Sequence, residues 1–269
     1  MPLETPHNRP SAEQAARRLL ILRQVVIYAQ MTPPRDFLQE CLQNWSQDEQ
    51  TKFARDAEVL RDQVWGRICA SSLGNDMSPW EREYANATSL TMTYQQGADG
   101  LWRIEAAQVI MWALRLIEEL PPYDTQADED LLKQIHPESV SSFIKSAVLR
   151  PSHEIDKARD MAEHWHWRSR TQQLIESGFE FDPDIEEFKA FGFKSLDDIV
   201  RHSVNHLEQD RLEHPTVDED FAVNGKPYRD LQPEEWEVVR SITVERHFAL
   251  NWLCGYAPGN RWDETPTET

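Results

Sequence analysis

An arginine in the middle of an apolar helical face restricts the fold of this chain more than any other feature. Between Pro233 and Tyr256, the residues Val239, Ile242, Ala249, Leu250 and Leu253 recur at the 3.6-residue spacing of a helix pressed on a core. Arg246 falls near the centre of that face. A guanidinium is stable there only where something negative meets it. Leu101 to Leu120 repeats the conflict. Ala106, Val109, Ile110, Ala113, Leu114, Ile117 and Leu120 take up most of its circumference, and Arg103 stands in line with Ala107, Ile110 and Leu114. These two segments are predicted to form the central pair of helices.

The other segments are punctuated by caps and breakers. Ser11 with Gln14 forms a capping-box pattern for a helix carrying Leu19, Leu22, Val26 and Ala29, stopped by Pro33-Pro34. Helices are expected over Arg35–Asn44 and Ser46–Leu73, and Ser78-Pro79-Trp80-Glu81 starts another. Gly97 to Gly100 reads as a break. Short helices follow around Leu131-Leu132 and Val140–Val148. A long helix runs from Ser152 to about Ser177, with Met161, Trp165, Arg168 and Gln172 as one ridge. Shorter ones begin at Asp182-Pro183 and Ser195. The strand signal lies at Phe221 to Tyr228, where Asn224-Gly225 suits a type I′ turn. The fold class expected is mainly α: a compact multi-helix domain of about ten helices with one small β-hairpin. Residues 1–10 are expected as a tail, 11–258 as a single helical domain, and 259–269 as a C-terminal tail packing back on it.

Charge narrows the partners. The 28 basic and 47 acidic side chains leave a net charge of −19. That opposes binding to nucleic acid or to an anionic membrane surface and favours a basic protein partner. Cys41, Cys69 and Cys254 are three widely spaced residues with no Cys-x-x-Cys, which reads as reduced thiols rather than a disulfide framework. No run approaches the ~18 apolar residues needed to span a bilayer, and Met1 to Pro10 lacks a signal-peptide core. A cytoplasmic location is expected.

Two groups of residues resemble a known family. Leu101-Trp102-Arg103-Ile104-Glu105-Ala106, with Met111-Trp112-Ala113-Leu114 and Leu120-Pro121, resembles the central motif of the bacterial domain of unknown function 4272. Asn224-Gly225-Lys226-Pro227-Tyr228, Leu231, Glu235, Glu245-Arg246-His247 and Ala249-Leu250-Asn251-Trp252-Leu253 resemble its closing motif, with Trp262-Asp263 at the end. His164-Trp165 to Arg168 is similar to its middle segment. The resemblance extends over roughly residues 15 to 269. It departs at Gln232, where a Ser cap is usual. Such a family implies no activity.

The polar candidates are Arg103, Arg168 and Arg246 on three helices, with Glu105, Glu245 and Asp263 near two of them in sequence, and His247 and Asn251 one turn apart. Internal ion pairs that fix helix docking are the ordinary reading. The sharper one is a pocket whose arginines hold a phosphate or carboxylate, with His247 as a base. His202 and His206 could reach one metal ion but lack a third ligand and the Glu of His-Glu-x-x-His, so no metal and no cofactor is expected. His164 and His166 point to different faces. Gly-x-Ser-x-Gly and the Gly-rich phosphate loops are absent. The acidic stretches Asp182 to Glu187 and Glu208 to Asp220 read as solvated faces. Two functions remain: a non-catalytic interaction protein, for example an immunity-type neutraliser of a basic toxin, or a small-anion-binding domain or enzyme with an Arg/His-lined pocket.

Overall fold

Local signals set most of the helices in the computed structural model, which describes residues 9–135, 139–209 and 215–268. Ser11 and Gln14 close the expected capping box on α1 (Ala12–Met31), and Pro33-Pro34 separates it from α2 (Arg35–Asn44). A second box, Ser46 with Glu49, opens α3 (Gln47–Cys69), and a third, Ser78 with Glu81, opens α4 (Pro79–Asn86). Then come α5 (Tyr94–Ala113), α6 (Glu129–Lys133), α7 (Val140–Lys145), α8 (Ser152–Glu176), α9 (Glu186–Phe191), α10 (Leu196–Gln209) and α11 (Pro233–Leu253). The fold is mainly α, with a small antiparallel sheet in the C-terminal third. Residues 1–8 of the expected N-terminal tail, and the middle of the Glu208–Asp220 stretch, lie outside the described residues.

The long helices pack in the order α1, α5, α11, α8, each against the next. One core joins Leu19, Leu22 and Val26 of α1 to Val109 and Ile110 of α5 and Leu250 of α11. The other side of α1 buries Ile21, Val25 and Tyr28 against Trp65 of α3 and Tyr84 of α4. A third cluster gathers Trp165 of α8, Phe221, Tyr228 and Trp236. Trp262, nearly inaccessible, packs edge-on against Phe248 and Trp252, so the last residues cover α11.

Two expectations need correction. Gly97 and Gly100 do not break the chain, because Thr93 and Gln96 form a capping box and α5 runs through both glycines. At Gly100 an added Cβ would collide with the Tyr84 hydroxyl and lie 3.2 Å from the Ala29 Cβ, so the missing side chain lets α5 approach α4 and α1. α5 also stops at Ala113, short of Leu120. Arg115 takes the left-handed conformation (φ 61°), and the Leu116 N–H returns to the Met111 carbonyl at 2.9 Å. Arg150 caps the same end: its backbone N–H donates to Ala113 O and its Nε to Trp112 O, both at 2.8 Å. The expected hairpin forms, and a further strand extends it to a three-stranded sheet. β2 (Asp220–Val223) and β3 (Lys226–Pro227) turn at Asn224-Gly225 as expected. β1 (Thr216–Val217) pairs on the other side through Asp218 and Glu219, both at positive φ. No Asn or Gly marks that turn, so it is silent in the sequence.

Candidate functional site

α5 and α11 are joined by an exchange of charges. Arg103 of α5 donates from Nη1 to both oxygens of Glu245 on α11, at 3.0 and 2.9 Å. Arg246 of α11 returns the contact to Glu105 of α5: its Nε donates to Oε2 at 2.9 Å, and Nη2 lies 2.9 Å from the same oxygen. The remaining Arg246 donors reach Pro121 O (2.6 Å), Pro122 O (3.1 Å) and Thr125 O (2.8 Å). All five N–H groups of that guanidinium are thereby committed to protein acceptors. Glu105 Oε1 accepts the Ala127 N–H at 2.8 Å, so the pair also pins the irregular segment after α5. The Arg246 and Glu105 side chains are 1% and 0% exposed. Burial raises the Glu245 carboxyl above the usual carboxylate range, and Arg103, itself over the Trp80 and Phe248 rings, offsets only part of this.

Arg168 belongs to a different junction. Its Nε and Nη2 grip Asp220 at 2.7 and 2.9 Å, with Gln172 Oε1 at 3.3 Å and the Tyr228 ring beneath. Asp220, expected on a solvated face, is fully buried and also accepts the Phe221 and Arg229 backbone N–H groups. Aromatic rings link the two junctions. Tyr123 lies over Arg246 and stacks on Trp165, which packs against Tyr228. Asp263 joins no arginine of the set; its Oδ2 accepts the Trp80 N–H at the start of α4 (2.9 Å).

Two further arginines, Arg18 and Arg159, are buried without being among the sequence candidates. Arg18 of α1 holds both Glu81 oxygens at 2.5 and 2.6 Å, so the capping glutamate of α4 is also its counter-ion. Arg159 of α8 grips Glu163 at 2.6 and 3.1 Å and donates from Nε to Asn251 Oδ1 at 2.9 Å. The i, i+4 spacing of Arg159 and Glu163 was the available signal.

Asn251 anchors a polar chain whose proton positions follow from its ends. Arg159 can only donate, which fixes Oδ1 as the acceptor, and Nδ2 donates to the Pro266 carbonyl at 2.8 Å. Nδ2 also lies 3.0 Å from His247 Nε2, which must therefore accept. His247 then carries its proton on Nδ1 and gives it to His166 Nδ1, 3.0 Å away. His166 is left with its proton on Nε2. Burial pushes His247 down to about 3, helped by His166 and Arg159. Burial likewise pushes His166 down to about 4, with Arg240 and Arg170 acting the same way. Both rings are neutral at neutral pH. His166, set aside in the sequence because it faces away from His164, thus sits at the centre, while His164 only bonds the Asp160 carbonyl of its own helix.

His202 and His206 pack ring against ring, centroids 4.4 Å apart, with Phe193 against His202. Among the described residues no group of three His, Cys, Asp or Glu side chains converges on a metal position. Ser169 is hydrogen-bonded to Tyr228 and Thr243 rather than to a base. Burial, aided by Asp156, pushes the Cys254 thiol up to about 12, far from a reactive thiolate. No helix among the described residues is long and apolar enough to cross a membrane.

No curated protein and no solved structure matches the chain. A family model does, over residues 2–185, so α1 to α8 lie within the match while the closing motif at 224–263 lies beyond it. By that match the chain belongs to the family described as the domain of unknown function DUF4272.

Proposed function

We propose that this protein is a non-catalytic interaction module of the cytoplasm that takes a basic protein partner on its acidic surface, an immunity-type neutraliser of a basic toxin being one form of it. The interior favours a scaffold over a ligand pocket at the predicted arginines. Arg246 has no donor left for an anion, and Arg168 is held by Asp220 and Gln172. The observation that carries the reading is a surface groove of about 300 Å³ between the segment after α5 and α8. Its walls are apolar (Leu120, Pro122, Met161, Trp165 and Ala222). Glu118, Glu119, Asp128, Glu129 and Asp130 flank the Leu120–Asp124 wall in sequence and are exposed, with Lys157 the basic neighbour on α8. An apolar side chain within a basic segment suits such a place.

The test is capture from source cells at low salt, then reconstitution with the captured protein and measurement of association rates. A basic partner whose association rate falls steeply with salt, and whose binding is lost in Ala158→Glu at the groove wall, supports the reading. A salt-independent rate, or full binding by that variant, refutes it.

A further inference from the structure

A second cleft, of about 360 Å³, lies between α8 and α11 and is polar in character. His166, Arg170 and Gln173 line it from α8, Arg240 and Val244 from α11, and Thr267 and Glu268 from the C-terminal segment. The buried chain from Arg159 through Asn251 and His247 ends here. With Nδ1 of His166 accepting from His247, the polar group His166 brings to the cleft is its Nε2–H, a donor. The chain fixes that ring in one tautomer and orientation, as hydrogen-bonded support does for a binding group.

The two guanidinium groups add charge to this donor. Arg170 spends one Nη1 contact on Gln173 Oε1 at 2.6 Å. Among the described residues Arg240 has no hydrogen-bond or ion-pair partner for its guanidinium, whereas Arg18, Arg103, Arg159, Arg168 and Arg246 all have carboxylates. An arginine left open beside a second arginine, in a chain of net charge −19, stands out against that pattern. Glu268 lines the cleft without reaching ion-pair distance of either.

We propose that this cleft binds the phosphoryl group of a small molecule, Arg170 and Arg240 supplying charge from two helices and His166 a neutral N–H donor. Two guanidinium groups match a dianion better than a single carboxylate, and their forked donors suit its tetrahedral oxygens. The cleft is larger than a phosphoryl group, which leaves room for the body of a phosphorylated metabolite. Arg159, Asn251 and His247 do not touch the ligand; they are positioning residues for His166. The site is separate from the acidic groove and does not depend on a protein partner.

The probe is inorganic phosphate, titrated into the ¹⁵N-labelled full-length protein at neutral pH and constant ionic strength, with chloride as the control. Saturable shifts of the His166 and Arg240 side-chain resonances are expected. Arg240→Met should weaken binding by roughly tenfold, the loss of a charge-assisted contact. Arg240→Lys should recover part of it, and Glu268→Gln, which removes the carboxylate lining the cleft, should tighten it. Arg240 is only half-buried and unpaired, so its replacement leaves folding intact, which circular dichroism checks. Linear shifts matching those with chloride, or Arg240→Met titrating like the wild type, would overturn the proposal. Ala158→Glu at the groove should leave phosphate binding unchanged, which separates this site from the protein-partner reading.

Discussion

Glu105→Gln is the sharpest test of what holds the central helices together. The substitution keeps size and shape but removes the only carboxylate that, among the described residues, pairs with Arg246, in a site where the guanidinium is 1% exposed. The three remaining donors still have Pro121, Pro122 and Thr125, but these carbonyls carry no charge. Breaking a buried pair from one side costs about 3–5 kcal/mol because a charge stays behind without compensation. Arg246→Met attacks the same pair from the other side and orphans the carboxylate and three carbonyls, so a cost of about the same size is expected. Against a typical total stability of about 5–15 kcal/mol, either variant should shift the urea midpoint strongly at unchanged slope. Glu105→Leu combined with Arg246→Met should lose about 1–3 kcal/mol less than the sum of its parts, since no lone charge is left. A Glu105→Gln variant within about 1 kcal/mol of the wild type, or strictly additive losses, would refute the account.

Other outcomes are equally direct. Gly100→Ala should destabilise by about 1–3 kcal/mol through the Tyr84 collision, whereas Gly97→Ala, whose new Cβ meets only Met92 Sδ at 3.8 Å, should be neutral or stabilise by up to about 1 kcal/mol; equal effects in thermal unfolding would discount the packing argument. Long-range ¹⁵N–¹H NMR should find His247 protonated on Nδ1 and His166 on Nε2; the reverse assignment would break the derived chain. Both histidines titrate lower in the folded chain than in the unfolded one, where about 6.5 applies. The unfolded state therefore binds more protons in between, and their stabilisation, complete above about 6.5, is lost as pH falls through about 4 for His166 and about 3 for His247. His247→Gln should flatten that acid limb in pH-dependent unfolding, and an unchanged slope would argue against buried neutral rings. Glu245 behaves oppositely. Its raised native value means that its contribution is greatest below the ordinary carboxylate range and falls as pH rises through the native one. Relative to Glu245→Gln, the wild type should therefore lose stability from acid to neutral pH, and a difference constant with pH would contradict the assignment.

The sequence made most helices legible because their starts use local chemistry, as at Ser11, Ser46 and Ser78. It also marked Arg103 and Arg246 as residues in need of partners, since a charge on an apolar face is a conflict visible in one dimension. Which carboxylate answers which arginine was not legible. Glu105 lies two residues from Arg103 yet serves Arg246, 141 positions away. Asp220 looked like one more acid in an acidic stretch until the sheet turned it inward. His166 carries no local signal because its partner, His247, sits on another helix. The end of α5 is hidden in the sequence because an arginine, not a glycine, takes the left-handed position there.

The crossed bonding of α5 and α11 bears on where this chain can be cut. The family match stops at residue 185, yet Arg103, Glu105 and Arg168 lie before that point while Glu245, Arg246 and Asp220 lie after it. A fragment ending at the match boundary would strip these three ions of their opposite numbers and uncover the apolar flank of α5. The unit defined by similarity is thus smaller than the unit that balances its own charges, and expression trials should keep the C-terminal third attached.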